Sequence, residues 1–157
     1  MTASKGEVVS PLNILIVEDD EMQGELLKEV LEEDLPENGI TPGAITVKRS
    51  KSEALSYIAD ATTRPDVAIV DLGLKSLDTP DDIDEYQEGM EIVKKLYELK
   101  IKYLVTTAIQ VAGFQRLAAE HGIPYKNIPA FSKPFMISDV IGEFVRMAKR
   151  MSIGRKR

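Results

Sequence analysis

Four short apolar runs in this chain each end abruptly on polar residues. The runs end at Glu18-Asp19, at Asp71, at Thr106-Thr107 and at Ser132-Lys133. A short continuous apolar run is typical of a buried strand in a parallel sheet. Because open α/β sheets bind ligands at the carboxyl ends of their strands, we expect these polar side chains to lie close together. The sequence therefore predicts a site built from carboxylates, a hydroxyl and an ammonium group.

Helical patterns alternate with these strands. We expect helices at about Glu21–Leu35, Ser50–Ala61, Gly89–Leu99, Ala112–Glu120 and Ser138–Met151, and one more strand at Ala44–Lys48. Ser50 and Ser138 are the expected caps of their helices, and Gly122 is the expected stop after the fourth. Strands that alternate with helices in this way predict a parallel sheet covered on both faces.

The helices also show apolar faces that should point inward. In the first helix this face consists of Met22, Leu26, Leu27, Val30 and Leu31. In the third helix it consists of Met90, Val93, Leu96 and Tyr97.

Composition excludes several classes of protein. The chain has 157 residues, a net charge of −6 and no cysteine, which argues against general nucleic-acid affinity and excludes disulfides. No apolar run approaches the roughly 18 residues of a membrane span. We expect residues 1–10 to form a flexible leader without a secretory signal, and residues 152–157 to form a basic tail too short for a DNA-binding module.

Four segments of the sequence resemble one known family. ILIVEDDE, DVAIVDLGL, LVTTA and SKPF occur in the order found in receiver domains of two-component response regulators, and the resemblance spans about residues 12–150. It implies a flavodoxin-like, doubly wound (βα)5 fold with strand order 2-1-3-4-5. We place the receiver domain at residues 11–151, as a stand-alone unit without an output domain.

The acidic strand ends predict a metal site. Glu18, Asp19 and Asp71, if within about 4–6 Å, would repel one another unless a cation joins them. Ligands that are all oxygen atoms favour Mg²⁺. The resemblance implies that Asp19 and Asp71 bind directly, that Glu18 acts through water and that the backbone carbonyl of Gly73 completes the set. A solvated acidic edge is the other interpretation, and we expect Asp20 to cap the first helix.

Asp71 is the candidate phosphoacceptor, because a carboxylate can attack phosphorus and form an acyl phosphate. The resemblance implies that Lys133 pairs with the phosphoryl oxygens and that the Thr107 hydroxyl donates to them. It also implies a cis peptide bond before Pro134. We interpret the only histidine, His121, as structural or exposed rather than as a phosphocarrier.

The resemblance implies a phosphorylation-dependent switch in the cytoplasm. A histidine kinase or histidine phosphotransfer protein would donate the phosphoryl group in a Mg²⁺-dependent reaction. The chain would not be an enzyme beyond self-catalysed phosphotransfer and slow autodephosphorylation. Its output would pass to a downstream protein through the fourth helix, fifth strand and fifth helix, with no DNA and no membrane span.

Two features depart from the family pattern. Ala130 stands where the family usually has an aromatic residue, and Phe131 should point to the opposite face of its strand. The segment from Lys75 to Glu88 is long and contains six acids, so it is either a solvated loop or an element that selects partners or covers the site.

Two alternative functions stay open. One is a degenerate receiver that binds partners without being phosphorylated. The other is a Mg²⁺-dependent phosphohydrolase, which would need a second acid two residues after the nucleophile, where this chain has Gly73.

Overall fold

The computed structural model describes residues 11–73, 82–108, 110–126, 128–133 and 135–155. Residues 82–87 and 152–155 are described by their backbone alone. The expected leader 1–10, residues 75–81 of the acidic segment and Pro134 lie outside the described residues.

Within the described residues, five parallel strands form one sheet. They are β1 (Leu12–Val17), β2 (Pro42–Lys48), β3 (Val67–Asp71), β4 (Lys102–Thr107) and β5 (Ala130–Ser132). Their order is β2-β1-β3-β4-β5, which confirms the predicted doubly wound fold. In the register, Asp71 is beside Thr106 and Thr107 is beside Ser132, so the polar strand ends meet at one edge.

In the part of the chain that the structure describes, five helices cover the sheet. They are α1 (Glu21–Glu37), α2 (Lys51–Ala59), α3 (Asp82–Glu98), α4 (Val111–Glu120) and α5 (Ile137–Arg155). One core lies between the sheet and α1 with α5, where Leu27, Leu31 and Phe144 join Ile14 and Ile16. The second core lies on the other face, under α2, α3 and α4, and contains Leu15, Val17, Ala54, Met90 and Phe114. Residues alternate between the two cores because successive strand side chains point to opposite faces.

Several predicted helix ends are confirmed by hydrogen bonds. The Asp20 side chain accepts from the N–H of Gln23 at 3.0 Å, so Asp20 caps α1. The Ser50 hydroxyl accepts from the N–H of Glu53 at 3.2 Å and caps α2. Gly122 follows α4 with φ of +71°, a conformation that glycine adopts without strain.

The buried face of α1 differs from the predicted one. Met22 and Leu26 are 83% and 41% exposed, whereas the residues that face the sheet are Gly24, Leu27, Leu31 and Leu35. The prediction was based on the stripe of α1 with the most apolar residues. In the structure Gly24 faces the sheet instead, because the absence of a side chain lets the backbone of α1 pack closely against β2. A Cβ at position 24 would lie 2.9 Å from Val47 Cγ1.

The start of α3 was also predicted wrongly. The helix begins at Asp82 rather than at Gly89. The acids of this segment suggested a loop, yet acids near a helix N-terminus are favourable because they interact with the positive end of the helix dipole. Tyr97, predicted to point inward, is 45% exposed, and Ile92 is buried.

Boundaries of other helices also differ from the prediction. Helix α5 begins at Ile137, so Ser138 lies inside the helix instead of capping it, and the helix continues to Arg155, past the expected boundary at Met151. Helix α1 passes through Pro36, and α2 ends at Ala59.

Among the helices in the described ranges, none combines the length and the apolar character needed to cross a membrane.

Candidate functional site

Three carboxylates meet at the carboxyl end of the sheet. Glu18 and Asp19 follow β1, Asp71 ends β3, and these two strands are neighbours with Val17 beside Val70. One ligand oxygen from each acid lies within 4.8 Å of the others. The sequence prediction that these side chains converge is therefore confirmed.

The carboxylate cluster is buried, and this raises its electrostatic cost. Glu18 and Asp71 are each 1% exposed, whereas Asp19 is half-buried. Burial, followed by the negative charge of Asp71 and a hydrogen bond to it, raises the pKa of Glu18 to about 8. The N–H of Asp20 donates to the Glu18 carboxylate at 3.3 Å and offsets part of this effect. Glu18 therefore holds a proton near neutral pH unless a cation compensates the second charge.

Lys133 supplies a positive charge at the same place. Its Nζ lies 3.1 Å from Asp71 Oδ2, and its side chain is 34% exposed. Burial lowers the pKa of Lys133, but the charges of Asp71, Glu18 and Asp19 and the hydrogen bond to Asp71 outweigh it and raise the pKa overall. Lys133 therefore stays protonated beside Asp71.

Gly73 contacts the other oxygen of the Asp71 carboxylate. Its N–H donates to Asp71 Oδ1 at 3.2 Å, so both oxygens of Asp71 have a hydrogen-bond partner. This contact keeps Gly73, the expected source of a carbonyl ligand, next to the acidic cluster.

The end of β4 connects the loops that carry these groups. The Thr107 carbonyl accepts from the N–H of Lys133 at 2.7 Å, and the Thr106 carbonyl accepts from the N–H of Leu72 at 2.9 Å. Both threonines are buried. A movement of either loop would therefore be transmitted to the end of β4. The role of the Thr107 hydroxyl stays a prediction.

Ala130 and Phe131 point to opposite faces of β5, as predicted. Ala130 packs against the core under α2, α3 and α4, and Phe131 packs against the core under α1 and α5. The position that is usually aromatic in receiver domains thus carries only a methyl group on the α4 side.

Sequence reasoning missed Arg49, which follows β2. Its Nη1 lies 3.2 Å from Glu21 Oε1, and its Nη2 donates to the Asp19 carbonyl at 3.4 Å. Arg49 therefore connects the loop after β2 to the loop that carries Asp19. The signal was available, because Arg49 is the polar residue at the end of the one strand that the sequence analysis did not assign to the site.

A groove lies beside the carboxylates. Asp20, Gln23, Lys133 and Phe135 line this groove, whose volume is about 470 Å³. Met22 and Met136, next in sequence to residues that line the groove, are 83% and 67% exposed.

His121, the histidine that the sequence analysis interpreted as structural or exposed, caps the end of α4 and is half-buried.

No protein-family model matches this chain, and no curated protein matches it either. Several solved structures do. A signal receiver domain from Vibrio parahaemolyticus superposes with a TM-score of 0.62 at 16% identity, covering 94% of this chain and 100% of that one. A response regulator from Thermotoga maritima gives a TM-score of 0.61 at 15% identity, covering 89% and 99%. The phosphorylated cyanobacterial phytochrome response regulator RcpA gives 0.57 at 19% identity, covering 90% and 91%.

These similarities define the class of fold. The chain has the fold of response regulator receiver domains, with strand order β2-β1-β3-β4-β5 and five covering helices. At the end of the sheet that binds ligands in such folds, it brings together Glu18, Asp19, Asp71 and Lys133.

Proposed function

We propose that this chain is a phosphoacceptor signalling protein. It accepts a phosphoryl group on Asp71 from a histidine kinase or a histidine phosphotransfer protein and passes the signal on through protein contacts. The observation that carries the proposal is a buried carboxylate, Asp71, flanked by two further acids and paired with Lys133 at 3.1 Å. A cytoplasmic location belongs to the same proposal.

The residues present fit a divalent cation. Glu18, Asp19 and Asp71 offer oxygen ligands within 4.8 Å of one another. Burial, and then the negative charge of Asp71, raises the pKa of Glu18, and a bound cation would compensate this negative charge. Asp19 and Asp71 would hold Mg²⁺ directly, with Glu18 through water and Gly73 through its carbonyl. When bound, Mg²⁺ would neutralise charge on the carboxylates and on the phosphoryl oxygens.

Asp71 supplies the nucleophile. One oxygen of its carboxylate attacks phosphorus, and a new O–P bond forms as the N–P bond of the donor phosphohistidine breaks. The departing imidazole nitrogen keeps the electron pair and takes a proton from solvent. Such transfers depend mainly on positioning and on neutralisation of charge, which Lys133 provides from the chain itself.

We infer that Asp71 and its partners rearrange before transfer. Lys133 contacts Asp71 Oδ2, the Gly73 N–H donates to Asp71 Oδ1, and the Asp71 side chain is almost fully buried. We infer that Lys133 moves from Asp71 to the incoming phosphoryl oxygens, and that the Thr107 hydroxyl donates to the same group. Because the N–H of Lys133 is bonded to the Thr107 carbonyl, this movement would shift the end of β4.

Two exposed apolar residues, next in sequence to residues that line the groove, support a protein rather than a small molecule as the natural donor. Met22 and Met136 are the most exposed large apolar side chains of the described residues. They flank the elements that carry Asp20 and Lys133, so a docked donor domain would cover them. Output to a downstream protein would use the surface of α4, β5 and α5.

Gly73 argues against a phosphohydrolase. The residue two positions after Asp71 has no side chain, so it cannot serve as the general acid or base of such an enzyme. A degenerate receiver would lack one of the charged groups, yet Asp71 and Lys133 form an ion pair here.

Incubation with acetyl phosphate, followed by intact-mass measurement, tests the proposal. We expect the addition of one phosphoryl group in the presence of Mg²⁺, little addition with a chelator, and none in Asp71→Asn. Asp66→Asn is the matched control, because Asp66 lies at the opposite end of β3. Addition to Asp71→Asn, or addition that is independent of Mg²⁺, would refute the assignment.

Lys133→Ala tests separately whether Lys133 is needed for phosphoryl transfer and for the conformational response to phosphorylation. We expect this variant to accept some phosphoryl group but to lose most of the change in amide NMR shifts around Thr107, because a ligand shifts an equilibrium only by its differential contacts. An unchanged response would contradict the role given to Lys133.

A further inference from the structure

A cavity lies at the end of the sheet opposite to the acidic site, beside the first residues of β4. It measures about 860 Å³ and is bounded by the end of α3, the segment before β5 and the last turns of α5. Its apolar walls include Ile101, Tyr103, Ile128, Pro129 and Met147. Small-molecule sites are typically clefts of about 300–1,000 Å³ with apolar walls and a few polar groups. This cavity has the size and the lining of such a site.

The cavity exists because β5 is short. β5 pairs with β4 only from Val105 beside Ala130 onward. The residue before this point is Pro129, which has no N–H with which to continue the ladder. Within the described residues, the stretch 102–104 of β4 therefore has no β5 neighbour, and the space that a longer strand would occupy is open.

Tyr103 lines the cavity, and its hydroxyl group is buried without a hydrogen-bond partner among the described residues. Tyr103 is 7% exposed, and its OH makes no hydrogen bond within the described part of the chain. Burial, and then the neighbouring Tyr97, raises the pKa of Tyr103, so the hydroxyl stays neutral and able to donate. An unpaired buried hydroxyl is unfavourable, and an occupant that offers an acceptor would relieve it.

The rim of the cavity is positively charged, although the chain as a whole carries −6. Lys100, Lys102 and Arg150 lie on it, against one acid, Glu143. Glu143 already pairs with Arg146 at 3.1 Å and approaches Arg150 at 3.9 Å. Lys100 and Lys102 have no ion-pair partner among the residues that the structure describes. The rim therefore favours an anionic ligand.

We propose that this cavity binds a small amphipathic anion, with its apolar body against Ile128 and Met147 and its negative group near Lys100 and Lys102. The Tyr103 hydroxyl would donate to the ligand. The site lies at the other end of the strands from Asp71, so the proposal does not depend on phosphorylation.

Titration with 4-phenylbutyrate, followed by amide NMR shifts of the whole chain, tests this proposal. We expect saturable shifts confined to the cavity walls, at residues 100–103, 128 and 143–151. The matched probes 4-phenylbutanol and 4-phenylbutylamine keep the apolar body and change only the charge. The alcohol should bind more weakly than the carboxylate, and the amine most weakly of the three.

Three variants assign the contacts. Lys100→Gln combined with Lys102→Gln should weaken the carboxylate about threefold to tenfold and leave the alcohol unchanged, since exposed charge pairs contribute modestly. Lys94→Gln, an exposed lysine of α3 outside the cavity, is the control and should change nothing. Tyr103→Phe keeps the ring, so it should keep the fold while weakening both the carboxylate and the alcohol.

Several results would overturn the proposal. Equal affinities for the three probes would contradict the preference for an anionic ligand. Amide shifts that spread over the surface and do not saturate would contradict binding in this cavity. If the same amides shift when the protein alone is concentrated, a second copy of the chain covers the cavity instead. The lysine variants change only exposed side chains, so a failure to fold would not obscure these outcomes.

Discussion

Gly89→Ala should disturb the acidic site from outside it. Gly89 lies inside α3, where its backbone packs against the connection that follows β3. A Cβ at position 89 would lie 2.6 Å from the Leu72 carbonyl oxygen and 2.7 Å from Leu72 Cα. Leu72 stands between Asp71 and Gly73, so the group that would be displaced adjoins both the proposed phosphoacceptor and the proposed carbonyl ligand.

The size of the disturbance follows from these distances. Ordinary contact begins at 3.4 Å, so α3 and Leu72 would have to separate by about 0.8 Å. Leu72 cannot move freely, because its N–H is bonded to the Thr106 carbonyl at 2.9 Å. Overpacking of this kind costs about 1–3 kcal/mol, whereas replacing a helical glycine by alanine gains up to about 1 kcal/mol. We therefore expect a net loss of about 1–2 kcal/mol, together with Mg²⁺ affinity lowered on the order of tenfold.

Urea unfolding and Mg²⁺ titration measure the two effects separately. Gly142→Ala is the matched control, because Gly142 also lies within a helix, α5, but a Cβ there would meet nothing within 4 Å. The control should gain about 0.5–1 kcal/mol and bind Mg²⁺ like the parent. Equal stabilisation of both variants, with unchanged Mg²⁺ affinity, would refute the account of Gly89.

Other substitutions test the site and the core. The pKa of Glu18 is raised by burial and then by Asp71 from 4.5 to about 8. Without metal, the free energy of unfolding of the parent should therefore fall on the order of a few kcal/mol as pH rises from 4.5 to 8, and that of Glu18→Gln should not. The same pH dependence of urea unfolding in both proteins would contradict this. Asp20→Ala should cost about 1 kcal/mol in urea unfolding through the lost cap, and no loss would contradict the capping role. Leu27→Ala should cost about 2–5 kcal/mol and Met22→Ser less than about 0.5 kcal/mol, and similar losses would contradict the observed inward face of α1.

The sequence was sufficient for the fold and for the convergence of the site. Apolar runs that end at Glu18, Asp71, Thr107 and Lys133 require these residues to share one edge once the sheet is parallel. The period of two along β5 also predicted that Ala130 and Phe131 face opposite cores, as the structure confirms. Both results depend on backbone geometry that holds for any strand.

The errors arose where tertiary packing decides between local alternatives. Gly89 suggested a helix start, but its lack of a side chain serves a close contact with Leu72 that is distant in sequence. Met22 and Leu26 extended an apolar stripe that α1 does not bury, because Gly24 brings a different face to the sheet. The cavity beside Tyr103 could not be predicted, since it depends on where β5 stops relative to β4.

The central claim, that Asp71 is the phosphoacceptor, can be tested at the level of a single residue. After reaction with acetyl phosphate and Mg²⁺, reduction with borohydride converts an aspartyl phosphate into homoserine, and peptide mass spectrometry locates it. We expect homoserine at position 71, with Asp19 and Glu18 unmodified. Homoserine at another acid, or none anywhere in a folded and Mg²⁺-loaded protein, would contradict it.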